Sequence, residues 1–68
     1  MKNTLKVEHA RLDLTQAQLA EKIQVSRQTI NAIELGKYNL STKLALKISR
    51  VFDKNVNDIF SLDEDDWV

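Results

Sequence analysis

The sequence predicts a small, all-α domain of five helices. It has 68 residues with no proline and one glycine, so the two residues that most often interrupt helices are nearly absent. Apolar residues recur at intervals of three and four, whereas strand-like alternation is missing. A chain of this size forms one domain near the lower limit for folding unaided, so dimerisation is expected.

The first three helices are predicted from caps and apolar spacing. The first covers about residues 3–12. The second begins at Thr15, where Thr15 and Gln18 have the spacing of a capping box, so that each side chain satisfies a backbone amide of the other residue. A break at residues 24–25 ends it, and Ser26 then caps a third helix of about nine residues.

Two further helices and a tail follow. Gly36 supplies a left-handed stop to the third helix. Ser41 caps a fourth helix over residues 42–52, and Asn55 caps a short fifth one. In the second, third and fourth helices, the side chains predicted to face inward are Leu19, Ala20, Ile23, Ile30, Ile33, Leu44, Ala45, Ile48 and Val51 or Phe52. Leu5 and Leu12 have the spacing to share one face of the first helix, and the fifth helix carries Val56, Ile59 and Phe60. Residues 1–60 are therefore assigned to the helical domain, and residues 61–68 to a tail with a possible short extended segment.

Charge is divided unevenly between these two parts. Residues 1–60 hold all ten Lys and Arg against six Asp and Glu, an excess of four positive charges, whereas residues 61–68 carry four acids and no base. A basic body attracts polyanions even in a neutral chain, because a partner senses local potential. The tail either takes part in dimerisation or is only a solubilising segment.

Composition excludes several classes of function. There is no cysteine and one histidine, so disulfides, zinc–thiolate sites and multi-histidine metal sites are excluded. No apolar run is long enough to cross a bilayer, and no signal-peptide pattern opens the chain. A cytoplasmic protein without membrane association, cofactor, metal or small-molecule ligand is expected. An enzyme is not, because the groups that catalysis needs are missing.

Residues 25–39, VSRQTINAIELGKYN, combine apolar side chains at helical spacing with many hydrogen-bonding ones. Two helices of about eight residues joined by three or four residues cross steeply, as in a helix-turn-helix. With Ile30 and Ile33 inward, the third helix presents Arg27, Gln28 and Asn31 outward, and these side-chain types read base edges in the major groove. The residues suited to phosphate contacts are Gln16, Ser26, Thr29, Lys37 and Tyr38.

Less specific interpretations exist for the same residues. Arg27, Gln28 and Asn31 could form an ordinary solvated helix face. Tyr38 could cover the core with its hydroxyl in water. Thr29 could stabilise its own helix instead of binding phosphate.

The run LTQAQLAEKIQVSRQTINAIELGKYN, residues 14–39, resembles the phage-repressor (Cro-type, or XRE) helix-turn-helix family. The resemblance extends from about Leu5 to Phe60 and includes the later runs LALKI and DIF. It implies that the helix from Arg27 is the recognition helix in the major groove, that Gln16 touches the DNA backbone, and that the loop after Gly36 anchors the protein.

Four positions depart from the family pattern. Gln24 replaces the usual turn glycine and is expected to adopt a strained conformation there. Leu40 replaces a common proline, and Glu8 stands where a buried leucine is usual. His9 stands where the family commonly has an arginine that pairs with the glutamate matched here by Glu34.

We therefore predict a sequence-specific regulator of transcription that binds double-stranded DNA, a repressor acting as a homodimer on a palindromic operator. The alternative is a protein-interaction module on the same fold, such as an antitoxin-like partner of a toxin. The predicted dimer interface consists of Val56, Ile59, Phe60, Leu62 and Trp67, with Val68 in the same apolar set.

Overall fold

Five α-helices and a two-stranded sheet make up the computed structural model, which describes residues 1–67. The helices are α1 (Leu5–Arg11), α2 (Gln16–Ile23), α3 (Arg27–Glu34), α4 (Thr42–Phe52) and α5 (Val56–Ile59). Strands β1 (Lys2–Asn3) and β2 (Phe60–Ser61) pair antiparallel, and a 3₁₀ turn follows at Glu64–Trp67. The predicted five-helix class is confirmed, and the small sheet is an addition to it.

The sheet corrects the predicted ends of the first and fifth helices. Asn3 was assigned to the first helix and Phe60 to the fifth, but these two residues are partners in the β1–β2 ladder. The Asn3 side chain holds this geometry, because its Oδ1 accepts from the Leu5 amide at 3.1 Å and its Nδ2 donates to the Ile33 carbonyl at 2.8 Å. Two-residue strands are too short to produce a visible alternation.

Three of the four predicted caps are present as hydrogen bonds. Thr15 and Gln18 form the complete capping box, with bonds of 3.0 and 2.9 Å in the two directions. Ser26 and Ser41 accept from backbone amides three residues on, at 3.1 and 3.2 Å. Asn55 occupies the cap position of α5, but its side chain makes no capping bond there. The one-turn helix α5 therefore begins without a side-chain capping bond.

The short connections between helices depend on left-handed residues. Gln24 ends α2 at φ 61°, which confirms the strained turn predicted from its departure from glycine. Gly36 has φ 73° after α3, as its predicted role as a stop requires. Asp13 and Asp53 also lie in this region, at 56° and 51°, and neither was anticipated.

The core lies between the inner faces of all five helices and the sheet. The buried apolar side chains are Leu5, Leu19, Ala20, Ile23, Ile30, Ile33, Leu44, Ala45, Ile48, Phe52, Ile59 and Phe60. Leu5 is buried, but Leu12, which was expected on the same face of the first helix, lies beyond the end of α1 and is 45% exposed. Of the alternatives at the end of α4, Phe52 is the buried one.

Glu8 is a buried charged residue on the inner side of α1. Its carboxylate forms ion pairs with the Arg11 guanidinium and, at 3.1 Å, with the Lys54 ammonium. Burial raises the pKa of Glu8, but the hydrogen bonds and charges from these two cations outweigh burial and hold the pKa below its ordinary value. The two cations therefore allow a carboxylate to stand where the family usually has leucine.

Within residues 1–67, none of the helices has the length and apolar character that a membrane crossing requires.

Candidate nucleic-acid interface

Helices α2 and α3 cross with a three-residue connection and form a shallow, open concave surface of about 450 Å³. We call it the recognition surface. Its lining residues are Gln16, Arg27, Gln28, Asn31, Ala32, Leu35 and Lys37. Five of the eight residues predicted to contact DNA are thus brought together here.

The orientation of α3 follows from its apolar residues. Ile30 and Ile33 are buried in the core, which fixes the opposite side of the helix toward solvent. Arg27, Gln28 and Asn31 are exposed on that side. An arginine and two side-chain amides on an accessible helix face have the donors and acceptors that base edges match.

Ser26 and Thr29 lie at the start of α3, beside the recognition surface. Their hydroxyls are 2.9 Å apart, and Ser26 Oγ also accepts from the Thr29 amide. Ser26 is exposed and Thr29 half-buried. These contacts support the helix-stabilising interpretation of Thr29, whose contact with phosphate stays a prediction, and they leave Ser26 exposed.

Lys37 and Tyr38 follow the left-handed Gly36. The Lys37 amide donates to the Ala32 carbonyl at 3.0 Å, which folds the chain back over the end of α3. Lys37 lines the recognition surface, and its side chain is exposed. Tyr38 is exposed just beyond it, so its hydroxyl is accessible.

A hydrogen-bonded group at the edge of this surface was only partly anticipated. His9 Nε2 lies 3.1 Å from Glu34 Oε1, which matches the pairing implied by the resemblance. Gln16 Nε2 donates to Glu34 Oε2 at 2.6 Å and, at 3.4 Å, to Asn31 Oδ1. Sequence reasoning missed the Gln16–Glu34 contact, because residues 18 positions apart meet only through the crossing of α2 and α3.

The structure separates the residues predicted to form a dimer interface into two groups. Ile59 and Phe60 are 2% and 5% exposed in the core of the single chain, so they offer almost no surface to a partner. Val56 is half-buried, whereas Leu62 and Trp67 are 56% and 77% exposed. Val68, predicted in the same set, lies outside the described residues.

The tail folds back toward the start of the chain. The α-amino group of Met1 lies 3.4 Å from an Asp63 carboxylate oxygen and 3.0 Å from an Asp66 one. The hydrogen bond to Asp66, opposed by desolvation and assisted by Asp63, raises the pKa of this amino group. Within one chain, residues 64–67 of the tail form a 3₁₀ turn.

The sequence is similar to known HTH-type transcriptional regulators. A family model described as Helix-turn-helix matches residues 8–59. An uncharacterized HTH-type transcriptional regulator of Methanocaldococcus jannaschii is 53% identical over 66 residues, which are 97% of this chain and all of that protein. One from Archaeoglobus fulgidus is 46% identical over 97% of this chain and 93% of its own length. The uncharacterized HTH-type transcriptional regulator YgzD of Bacillus subtilis is 45% identical over 96% of this chain and 98% of its own length.

Proposed function

The chain belongs to the helix-turn-helix family of DNA-binding transcription regulators, and from this premise we propose that it is a repressor acting as a homodimer on a palindromic operator. The observation that supports the proposal most directly is the recognition surface. There the polar side chains of α3 are exposed, because the opposite, apolar face of the same helix is buried in the core. The family regulates transcription and has no enzymatic activity.

Three residues of α3 are proposed to read bases. Arg27 can present two parallel donors to guanine O6 and N7, and Gln28 and Asn31 can pair with adenine N6 and N7. Leu35 and Ala32 line the same surface and supply apolar contact suited to a thymine methyl group. The surface therefore carries hydrogen-bond donors, hydrogen-bond acceptors and apolar groups, which match the three kinds of feature that base pairs present in the major groove.

The backbone contacts are proposed around this reading surface. Ser26 and Thr29 lie at the amino-terminal end of α3, and Gln16 at that of α2, where helix ends favour phosphate. Lys37 contributes a charge and Tyr38 a hydroxyl from the following loop. Such contacts position the protein without specifying sequence.

Dimerisation is proposed from the geometry of DNA. Two recognition helices reach successive major grooves on one face only if they are about 34–36 Å apart, which suits a two-fold dimer on a palindromic site. The proposed contacts are the exposed Leu62 and Trp67 and the half-buried Val56, whereas Ile59 and Phe60 are buried in the core of each chain.

Repression is proposed because a dimer bound through this surface covers its site. The helices are committed to the core and to the recognition surface, so the simplest consequence of binding is obstruction of the polymerase. The expected cytoplasmic location belongs to the same proposal.

The test begins with a selection of bound sequences from a pool of random duplexes. We expect enrichment of a palindrome with half-sites one helical turn apart. Gel-shift titrations with the selected duplex and a scrambled one, at low and raised salt, should show tighter binding to the selected duplex and weaker binding of both as salt rises. Absence of an enriched sequence would contradict the proposal.

The alternative function is a protein-interaction module. Leu35, 61% exposed on the recognition surface, favours it, because a protein-binding helix needs exposed apolar side chains. If the chain binds no duplex while Leu35→Ala abolishes capture of a specific protein, the alternative is the correct function.

A further inference from the structure

Four side chains form a continuous hydrogen-bonded group from the interior to the recognition surface. His9 on α1 contacts Glu34 on α3, Glu34 accepts from Gln16 on α2, and Gln16 reaches Asn31 on the exposed side of α3. Two of these residues, Gln16 and Asn31, are proposed DNA contacts. The other two are almost buried, with side chains 12% and 8% exposed for His9 and Glu34.

Both carboxylate oxygens of Glu34 make side-chain contacts. Oε1 lies 3.1 Å from His9 Nε2, and Oε2 accepts from Gln16 at 2.6 Å. The histidine ring is itself fixed, because its Nδ1 lies 2.8 Å from the Leu14 carbonyl, which can only accept. The carboxylate thus has a defined position relative to α1, α2 and α3.

A carboxylate in this position determines which way the Gln16 amide faces. An ionised carboxylate accepts hydrogen bonds and donates none, so Gln16 must turn its NH₂ group, and not its carbonyl, toward Glu34. The second hydrogen of the same nitrogen is then directed at Asn31 Oδ1, 3.4 Å away. This contact is longer and weaker than the first, but it discriminates between the two orientations of the Asn31 amide.

The orientation of Asn31 follows. With its oxygen toward Gln16, its NH₂ group faces the open side of the recognition surface as a donor. In the major groove the acceptor common to adenine and guanine is N7. The Asn31 oxygen keeps a second lone pair, which remains available to an adenine amine.

We propose that Glu34 is a positioning residue for DNA reading: through Gln16 it orients the Asn31 amide so that Asn31 donates to N7 of a purine. This inference rests on the proposed function, because it assigns a base chemistry to one of the proposed readers. Glu34 itself touches no DNA in this scheme. It acts by removing the rotational freedom of two amides before the complex forms.

A double-mutant cycle tests the coupling on the selected operator. Gln16→Ala should weaken binding about tenfold in the otherwise unchanged protein. In a Glu34→Met background, where residue 34 keeps its length but replaces the carboxylate by a weakly accepting thioether, the same substitution should cost less than about threefold. Lys37→Ala is the matched control, because Lys37 lies on the recognition surface outside the group and should cost the same factor in both backgrounds.

The base chemistry is tested with modified DNA. Asn31→Ala first identifies the base pair that depends on Asn31, and its purine is then replaced by the 7-deaza analogue, which lacks the N7 acceptor. Binding of the unchanged protein should fall about tenfold, and that of Glu34→Met less than about threefold. Equal losses for the two proteins, or full additivity in the cycle, would overturn the proposal.

A measurement on the free protein needs neither a variant nor DNA. By NMR, the side-chain NH₂ protons of Gln16 should exchange with solvent more slowly than those of Gln28, which is an exposed amide on the same surface. Equal exchange rates would overturn the inference even if DNA binding were established. Conversely, slow exchange at Gln16 with no enriched operator would leave the amide orientation supported and contradict the proposed function.

Discussion

Glu8 occupies the inner face of α1 although a carboxylate is costly to bury. Two cations from different parts of the chain, Arg11 and Lys54, compensate by contacting both of its oxygens. Such an arrangement seldom adds stability over an apolar side chain of similar volume, because the desolvation of the charges offsets their attraction. The position can therefore be tested by restoring the leucine that the family usually has there.

Glu8→Leu should leave the free energy of unfolding at neutral pH unchanged or raise it by about 1–4 kcal/mol. In the unchanged protein the pKa of Glu8 is lower in the folded than in the unfolded state, so its stabilising contribution is present above the unfolded value of about 4.3. That contribution is lost as pH falls through the lower folded pKa. Urea unfolding from neutral to acidic pH should therefore show a smaller loss of stability in acid for Glu8→Leu.

Glu21→Leu is the control for this experiment, because Glu21 is an exposed carboxylate on α2. Its replacement should change stability by no more than about 0.5 kcal/mol and leave the acid dependence as it was. If Glu8→Leu kept the full acid dependence, the ion pairs of Glu8 would not be its source.

Gln28 is proposed to read a base, so the effect of removing its side chain on binding affinity should depend on the DNA sequence. Gln28→Ala should cost about 1–3 kcal/mol of binding free energy on the selected operator and relax the preference at one base pair. Titrations against operators changed singly at each position measure this. An equal loss on every duplex, including a scrambled one, would show that Gln28 does not read bases.

Lys37 is proposed to contact phosphate, so the effect of removing its side chain on binding affinity should depend on salt concentration and not on the DNA sequence. Lys37→Ala should weaken binding to all duplexes alike and reduce the slope of log affinity against log salt by about one. Lys6→Ala removes the same charge from α1, away from the residues that line the recognition surface, and should leave the slope nearly unchanged. An unchanged slope for Lys37→Ala would place this lysine outside the DNA contact.

At the scale of elements, the α2–α3 connection determines how the recognition helix is presented. It turns within three residues because Gln24 adopts a left-handed conformation, while the Val25 amide donates to the Ala20 carbonyl at 3.0 Å. A side chain with a Cβ pays about 1–2 kcal/mol in this region, and glycine does not. Glycine loses more chain entropy on folding, about 0.5–1 kcal/mol, which offsets part of that gain.

Gln24→Gly should therefore raise the free energy of unfolding by up to about 1 kcal/mol without changing the fold or the DNA preference. Glu21→Gly, three residues earlier in the helix, is the control and should lower stability by about 0.5–1 kcal/mol. Both changes are measured by urea unfolding. A lower stability for Gln24→Gly would mean that the glutamine side chain makes a compensating contribution.

Local signals in the sequence predicted the helices well. The hydroxyls of Thr15, Ser26 and Ser41 act within three residues of themselves, so their caps could be read without knowledge of the fold. The sheet could not be read this way, because Lys2–Asn3 and Phe60–Ser61 are separated by almost the entire chain and each is too short for a periodic pattern.

The same distinction applies to the candidate site. The exposed face of α3 follows from the spacing of Ile30 and Ile33, which the sequence shows directly. The contact of Gln16 with Glu34 depends on the angle between two helices, and no local pattern encodes that angle. Sequence reasoning therefore predicted the exposed face of α3 and the pairing of His9 with Glu34, and missed the contact of Glu34 with Gln16.

At the scale of the whole molecule, the positive excess and the acidic tail belong to different parts of the sequence. The positive excess of residues 1–60 includes the recognition surface, whereas the acids of the tail lie near the α-amino group of Met1. The large exposed apolar side chains of the tail are Leu62 and Trp67. A dimer formed through Leu62 and Trp67 would bury these two side chains, and neither of them lines the recognition surface.

Removal of residues 62–68 should convert the proposed dimer to a monomer. This truncation keeps Phe60 and Ser61, so the β1–β2 pairing and the core remain. Because a dimer engages its second half-site at high effective concentration, the truncated chain should bind the palindrome at least about 100-fold more weakly, with little change on an isolated half-site. Sedimentation equilibrium and gel-shift titration measure the two effects.

A full-length control separates the apolar contacts from the charges of the tail. Glu64→Gln with Asp65→Asn keeps Leu62 and Trp67 and removes like charges that repel across a two-fold axis, so the dimer should be as tight as before or tighter. Trp67 is the single tryptophan, and its fluorescence should shift to shorter wavelength as rising protein concentration buries it in the interface. If the truncated chain remained dimeric and bound the palindrome as tightly as the full chain, the tail would be only a solubilising segment, and the dimer would have to form through another surface.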